Sequence, residues 1–179
     1  LVETVGVGQS EIAAHSMVDF FLLVQIAGAG DELQGIKRGI MEMTDGIIIN
    51  KADGNNIDKA KFAKAQLENA LRLFPPAASN WQVRVLTTSS IEGTGIGDVW
   101  NMIEEYIVHV KNNKNFVQRR KEQATYWMYE TINEQLKATF YNNEKIQVLL
   151  KEYEEKVLKE EQSSFIAAKQ LLDFYNENK

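Results

Sequence analysis

The sequence predicts an α/β fold, a parallel sheet with flanking helices over residues 1–111, followed by an all-helical extension over 112–179. Two observations predict it. Short β-branched apolar runs at 18–26, 46–49 and 83–87 alternate with stretches whose apolar residues recur at helical spacing. Beyond Lys111 the strand pattern stops and amphipathic helical stretches follow one another. A chain of 179 residues, 44% hydrophobic and 25% charged, is long enough for one sizeable core plus an appendage.

Leu1 and Val2 read as the last two residues of a strand whose beginning precedes the sequence, so the chain is expected to be part of a longer polypeptide. Glu3-Thr4-Val5-Gly6-Val7-Gly8-Gln9-Ser10 is then a strand-end loop. Its closely spaced glycines permit near backbone approach to a ligand, and their amides form an anion-binding concavity. Ser10-Glu11-Ile12-Ala13 begins a short helix. The strand at 18–26 has the apolar density of a central position.

Gly28-Ala29-Gly30 breaks the pattern, and Asp31 with Gln34 forms a capping box for a helix over 31–43. Leu33, Ile36, Ile40 and Met43 share one face of it. Gly35 and Gly39 lie inside that helix, each costing about 1 kcal/mol relative to alanine. Weak ordering and close helix–sheet packing both account for them.

Gly46-Ile47-Ile48-Ile49 is a buried parallel strand that ends in Asn50-Lys51-Ala52-Asp53. A helix over 58–74 turns Phe62, Leu67, Leu71 and Phe74 inward and stops at Pro75-Pro76. The strand at 83–87 ends in Thr88-Ser89-Ser90. Gly93-Thr94-Gly95-Ile96 then leads into a helix with Val99, Ile103, Ile107 and Val110 on its inner face. Asn112-Asn113-Lys114-Asn115 is a polar hinge before helices over 116–141, 144–160 and 163–175. The first carries a stripe of Trp127, Met128, Ile132, Leu136 and Phe140, more apolar surface than three helices bury alone. A homodimer through this helical arm is expected.

Composition excludes several classes. A net charge of −5 and a pI near 5.2 argue against a nucleic-acid partner. Without cysteine there are no disulfides or thiolate metal sites. His15 and His109 lack zinc spacing. No apolar run approaches the roughly 20 residues of a membrane span, and no signal peptide opens the sequence. A cytoplasmic or organelle-matrix protein is expected.

Ligands of open α/β sheets bind at the carboxyl ends of strands, where three polar loops stand in order: 3–8, 50–53 and 88–90. The Asp53 carboxylate can accept both the ring N–H and the exocyclic amine of guanine, a bidentate pair that adenine does not offer. Asn50 supplies an amide, and the Lys51 stem can cover the base face. A guanine-nucleotide domain needs the first loop at the γ-phosphate and magnesium, the second at the base, and the third at the base carbonyl through a backbone amide. An ordinary βα loop of Asn, Asp and Gly is the plainer account of 50–53 taken alone.

Three motifs carry a resemblance: Glu3-Thr4-Val5-Gly6-Val7-Gly8-Gln9-Ser10-Glu11, the stretch from Gly30 through Asp31-Glu32-Leu33-Gln34 to Glu42, and Asn50-Lys51-Ala52-Asp53. With these the chain resembles the MeaB/ArgK family of P-loop GTPases, the methylmalonyl-CoA mutase accessory proteins also described as lysine/arginine/ornithine transport-system kinases. The likeness is dense to about Trp100 and looser past Arg120. It implies the C-terminal part of a P-loop GTPase sheet, with GTP or GDP and Mg2+ as ligands. Glu3 would hold magnesium through water, the Gly6 amide would meet the γ-phosphate, and Gln9 stands close to the water-orienting position, which Val7 leaves without its usual glutamine. Asn50, Lys51, Asp53, Ser89 and Ser90 would hold the base, Ser90 replacing the family's usual alanine. Asp31, Glu32, Gln34, Lys37 and Arg38 would belong to a partner-contacting segment, switch III.

The resemblance further implies a GTP-hydrolysing chaperone that gates cobalamin loading and protection of a B12-dependent acyl-CoA mutase, in a bacterial cytoplasm or mitochondrial matrix. A transport-linked kinase and a non-enzymatic assembly module are the alternatives. No Gly-x-x-x-x-Gly-Lys-Ser/Thr phosphate-binding loop occurs in these 179 residues, so this chain alone is expected to be inactive and to bind GTP weakly.

Overall fold

The computed structural model describes residues 1–4, 10–26 and 38–178. In chain order its elements are α1 (Ser10–His15), β1 (Leu22–Ile26), α2 (Arg38–Met43), β2 (Gly46–Asn50), a 3-10 turn (Gly54–Asn56), α3 (Ile57–Leu71), β3 (Arg84–Thr87), α4 (Ile96–Asn112), α5 (Asn115–Tyr141), α6 (Glu144–Leu158) and α7 (Ser164–Glu177). Two compact units result, Leu1–Ala124 and Thr125–Lys179. Among the described residues no helix is long and apolar enough to cross a membrane.

The first unit is built on a parallel sheet of order β1-β2-β3, with Ile47 opposite Leu23 on one side and Val85 on the other. The isoleucine run of β2 is buried on both faces, as a strand inside a covered parallel sheet requires. Ile47, Ile49 and Val85 pack beneath Met41 of α2 and Ala60, Ala63 and Leu67 of α3. Ile48 packs on the opposite face with Val99 and Met102 of α4. Each isoleucine fully buried in this way contributes about 1.5–3 kcal/mol. The layers therefore hold the carboxyl ends of β2 and β3 side by side.

Several sequence expectations change here. Leu1 and Val2 are exposed and lie outside the three-stranded ladder. β1 begins at Leu22, because the chain bends at Asp19 and Phe20. It stands at the edge of the three described strands, and Val24 and Ile26 of its apolar run are exposed. Phe62 faces solvent; the alanines at 60 and 63 form the inner face of α3 and let it sit close on the sheet. On α4 Val99 and Val110 are buried as expected, joined by Met102 and Tyr106, while Ile103 and Ile107 are only half-buried. The expected helix start at 31–37 lies outside the described residues.

α4 and α5 separate at Asn113 and Lys114, where Lys114 takes a left-handed φ of 66°. The first compact unit nevertheless runs on to Ala124, because the root of α5 is tied to it by side chains. Arg119 Nη1 donates to both oxygens of Asp45, at 3.1 and 2.9 Å, and to the Tyr106 hydroxyl at 2.7 Å. Arg120 makes a two-pronged pair with Asp19 at 2.8 and 2.7 Å. Gln123 Nε2 donates to the carbonyls of His15 and Val18.

The second unit buries Ile146 on α6 and Ala167, Leu171 and Tyr175 on α7. Phe140 meets Tyr175 edge-on at 5.2 Å. Asn143 caps α6 through the amides of Lys145 and Ile146, and Ser163 caps α7 through that of Ile166, each cap contributing about 1 kcal/mol. By contrast α5 has no buried residue; Met128, Ile132 and Leu136 are exposed.

Candidate functional site

The loops after β2 and β3 are zipped together beyond the sheet. The Thr88 N–H donates to the Ile49 carbonyl at 2.9 Å, and the Ala52 N–H donates to the Thr88 carbonyl at 2.9 Å. Those two bonds extend the parallel ladder into the loops and fix residues 50–53 against 88–90. Gly95 helps to close the end of β3: at its φ of 76°, a Cβ would lie against the Thr87 carbonyl oxygen, so glycine is required for α4 to start there.

Two side chains organise the surface so formed. Asn50 Oδ1 accepts from the Thr88 hydroxyl at 3.2 Å, from the Ser90 N–H at 3.2 Å and from the Ser90 hydroxyl at 3.0 Å. Asp53 Oδ2 accepts from the Ser89 hydroxyl at 2.5 Å, and the Ser89 oxygen in turn accepts from the Glu92 N–H at 3.1 Å. Asp53 begins the 3-10 turn in an extended conformation, yet its side chain does not cap that turn. The carboxylate is thereby given to Ser89 and to the surface. Ser89 and Thr88 are fully buried, whereas Ser90 and Lys51 are exposed.

Lys51 adopts φ 59°, an uncommon conformation for a residue with a side chain. Its carbonyl is held by Asn56 Nδ2 at 2.8 Å, which stabilises the turn. The result is an edge offering one carboxylate acceptor beside the Asn50 amide, whose Oδ1 holds the Ser90 N–H, with a long flexible cation next to it.

Of the sequence-derived residues, Asn50, Lys51, Asp53, Ser89 and Ser90 are therefore brought together from loops nearly forty positions apart. Glu3 is exposed. Gly6, Gln9, Asp31, Glu32, Gln34 and Lys37 lie outside the described residues, and Arg38 opens α2 without a described side chain. Among the described residues no group of three His, Asp or Glu side chains could hold a metal ion. Sequence reasoning missed the parts played by Thr88, Asn56 and Gly95. The Gly-Asn-Asn that follows Asp53 was the available signal for Asn56.

A second polar cluster, at the other end of β2, was not legible at all. Asp45 accepts from the Phe21 N–H at 2.8 Å as well as from Arg119, and its carbonyl accepts from Trp81 Nε1 at 2.8 Å. Burial raises the Tyr106 pKa well above the usual tyrosine range, with the Asp45 charge adding to it. His15 is shifted below its usual 6.5, first by burial and then by the Arg119 guanidinium, with Asp45 opposing.

The family model described as methylmalonyl-CoA mutase-associated GTPase MeaB matches residues 1–145. A Mycobacterium tuberculosis protein named as a probable GTPase is 36% identical over 98% of this chain and 52% of its own length. The GTPase ArgK of Escherichia coli is 41% identical over 80% of this chain and 44% of its own. The mitochondrial methylmalonic aciduria type A homolog of Mus musculus is 38% identical over 88% of this chain and 38% of its own. The chain thus spans about half the length, or less, of the curated relatives it matches. A crystal structure of an LAO/AO transport system kinase superposes with a TM-score of 0.77 at 34% identity, covering 98% of this chain and 56% of the other. With the family model extending over most of its length, the chain belongs to the MeaB family of methylmalonyl-CoA mutase-associated GTPases.

Proposed function

We propose that this chain carries the base-recognition side of a guanine-nucleotide site, within a GTP-binding and hydrolysing chaperone that gates cobalamin loading and protection of a B12-dependent acyl-CoA mutase. Guanine presents O6 and N7 as acceptors and N1–H with its exocyclic amine as donors. The Ser90 amide and Asn50 Nδ2 answer the first pair, and the Asp53 carboxylate answers the second. The Lys51 stem covers the base face. One observation carries the reading: the buried Ser89 hydroxyl donates to Asp53 at 2.5 Å, so the carboxylate is fixed in orientation before any base arrives.

The remaining roles follow the family. Glu3 is an exposed hard oxygen donor, which suits magnesium, an ion that usually takes one or two carboxylates and keeps much of its water. When bound, the ion would neutralise phosphate charge; Glu3 would hold its water shell. The Gly6 amide would meet the γ-phosphate, and Gln9, two positions after Val7, would be the candidate to orient the attacking water. Val7 in the usual glutamine position makes intrinsic hydrolysis slow and gives the partner a part in completing it. Asp31, Glu32, Gln34, Lys37 and Arg38 are assigned to the mutase contact. Residues 112–179 form the dimerisation arm of this proposal, with 1–111 as the nucleotide-domain part.

GTP turnover by the full-length protein, measured alone and with purified mutase, tests the function. Slow basal turnover that the mutase accelerates is the expected result. Turnover of ATP at an equal rate, or indifference to the mutase, would count against it.

A further inference from the structure

Asn50 Oδ1 receives more donors than an amide oxygen needs. The Thr88 hydroxyl, the Ser90 N–H and the Ser90 hydroxyl all point at it, within 3.0 to 3.2 Å. A carbonyl oxygen has two lone pairs, so one donor can leave without stranding it. The same convergence fixes which end of the amide is which. A flipped Asn50 would set its NH2 group against an N–H and two hydroxyls, leaving the Ser90 N–H without an acceptor there.

The three donors are not equally free to go. The Thr88 hydroxyl is buried, and Asn50 is its partner. The Ser90 N–H is the donor that base recognition requires at the guanine carbonyl. The Ser90 hydroxyl is the one that stays.

Resting on the guanine reading, we infer that the Ser90 hydroxyl is a positioning residue for base recognition. It keeps Asn50 Oδ1 doubly occupied while the Ser90 N–H transfers to guanine O6. Asn50 Nδ2 then remains aimed at N7. With alanine at position 90, the transfer would leave the Thr88 hydroxyl as the one donor on Oδ1 among the described residues, and the amide could rotate about its last bond. Serine at 90 therefore does more than fit beside the backbone contact. It allows one residue to supply two donors in exchange, and the price of moving the first is met by the second.

The test is a cycle between side chain and ligand atom in the full-length protein. Affinities for GDP and 7-deaza-GDP, in which N7 is replaced by C–H, are measured for the wild type, Ser90→Ala and Ser90→Thr. The wild type should favour GDP over 7-deaza-GDP by about three- to ten-fold, the scale of one hydrogen bond. Ser90→Ala should weaken GDP binding and abolish most of that preference, while 7-deaza-GDP is little affected. Ser90→Thr, which keeps the hydroxyl, should restore the preference.

An N7 preference unchanged in Ser90→Ala would overturn the role, whatever happens to overall affinity. So would Ser90→Thr behaving like Ser90→Ala. A wild type that binds ADP as well as GDP would instead reject the base reading itself, and the inference with it.

Discussion

Replacing Asp53 by asparagine should convert guanine selectivity into xanthine selectivity, and the structure says which way the new amide faces. The Ser89 oxygen already accepts from the Glu92 N–H, so its single hydrogen must be donated, and in the wild type it goes to Asp53. In Asp53→Asn that hydrogen requires the Asn oxygen, which leaves the amide nitrogen facing the base. There it opposes the exocyclic amine of guanine and matches the 2-carbonyl of xanthine. Breaking a desolvated, charge-assisted pair costs about 2–5 kcal/mol, hence about 30- to 5000-fold in Kd. Asp53 is half-buried, so the lower half of that range is the better expectation. Competitive displacement of a fluorescent guanine nucleotide from the full-length protein by GDP and by XDP reads both affinities. Adding Ser89→Ala should shrink the gain for XDP, because the amide is then free to flip. Undiminished GDP affinity in Asp53→Asn, or equal losses for GDP and XDP, would refute the reasoning.

Four further outcomes are expected. Arg119→Met should destabilise the first unit by about 2–3 kcal/mol, below the full cost of orphaning a buried charge because Asp45 keeps the Phe21 N–H; adding Asp45→Asn should recover part of the loss in urea denaturation followed by tryptophan fluorescence, and simple additivity would contradict the pairing. Because the pKa of His15 is lower folded than unfolded, the folded state binds fewer protons as pH falls through 6.5. Stability should be flat above that pH and decline below it, and His15→Gln should flatten the decline in denaturation midpoints taken across pH 5–8. Gly95→Ala should cost about 1–3 kcal/mol through its positive φ and the Thr87 carbonyl, the range of ordinary backbone strain; a melting temperature equal to wild type would place the turn elsewhere. Leu136→Glu together with Ile132→Glu, both exposed on α5, should shift sedimentation of the full-length protein toward monomer, whereas an unchanged dimer would put the interface on other residues.

The sequence was most readable where local chemistry and burial agree. The isoleucines of β2 could be nothing but a covered strand, and Asn50 and Asp53 follow it within a few residues. It was least readable where small residues hold the inner face. Ala60 and Ala63 carry weak hydrophobic signal, so Phe62 seemed the inward residue on periodicity alone. The Asp45–Arg119 pair spans 74 positions and leaves no periodic trace. Within the candidate site, residue types at 50–53 and 88–90 singled out two loops that the fold brings together, but not Ser89 donating to Asp53 or the crowding at Asn50. Those are three-dimensional facts about who faces whom.

β2 also provides an internal clock. Ile47, Ile48 and Ile49 pair on both sides and are buried on both faces. Amides in such a strand open only when the whole unit opens, so their hydrogen–deuterium exchange reports global stability. The Ser90 amide, a few ångströms from the end of the same strand, is exposed and held by a single side chain. Its exchange reports the loop alone. Nucleotide binding that slows Ser90 far more than Ile48 would register occupancy at the rim. Equal slowing of both would mean that the ligand acts by stiffening the entire sheet, and one peptide map carries both readings at once.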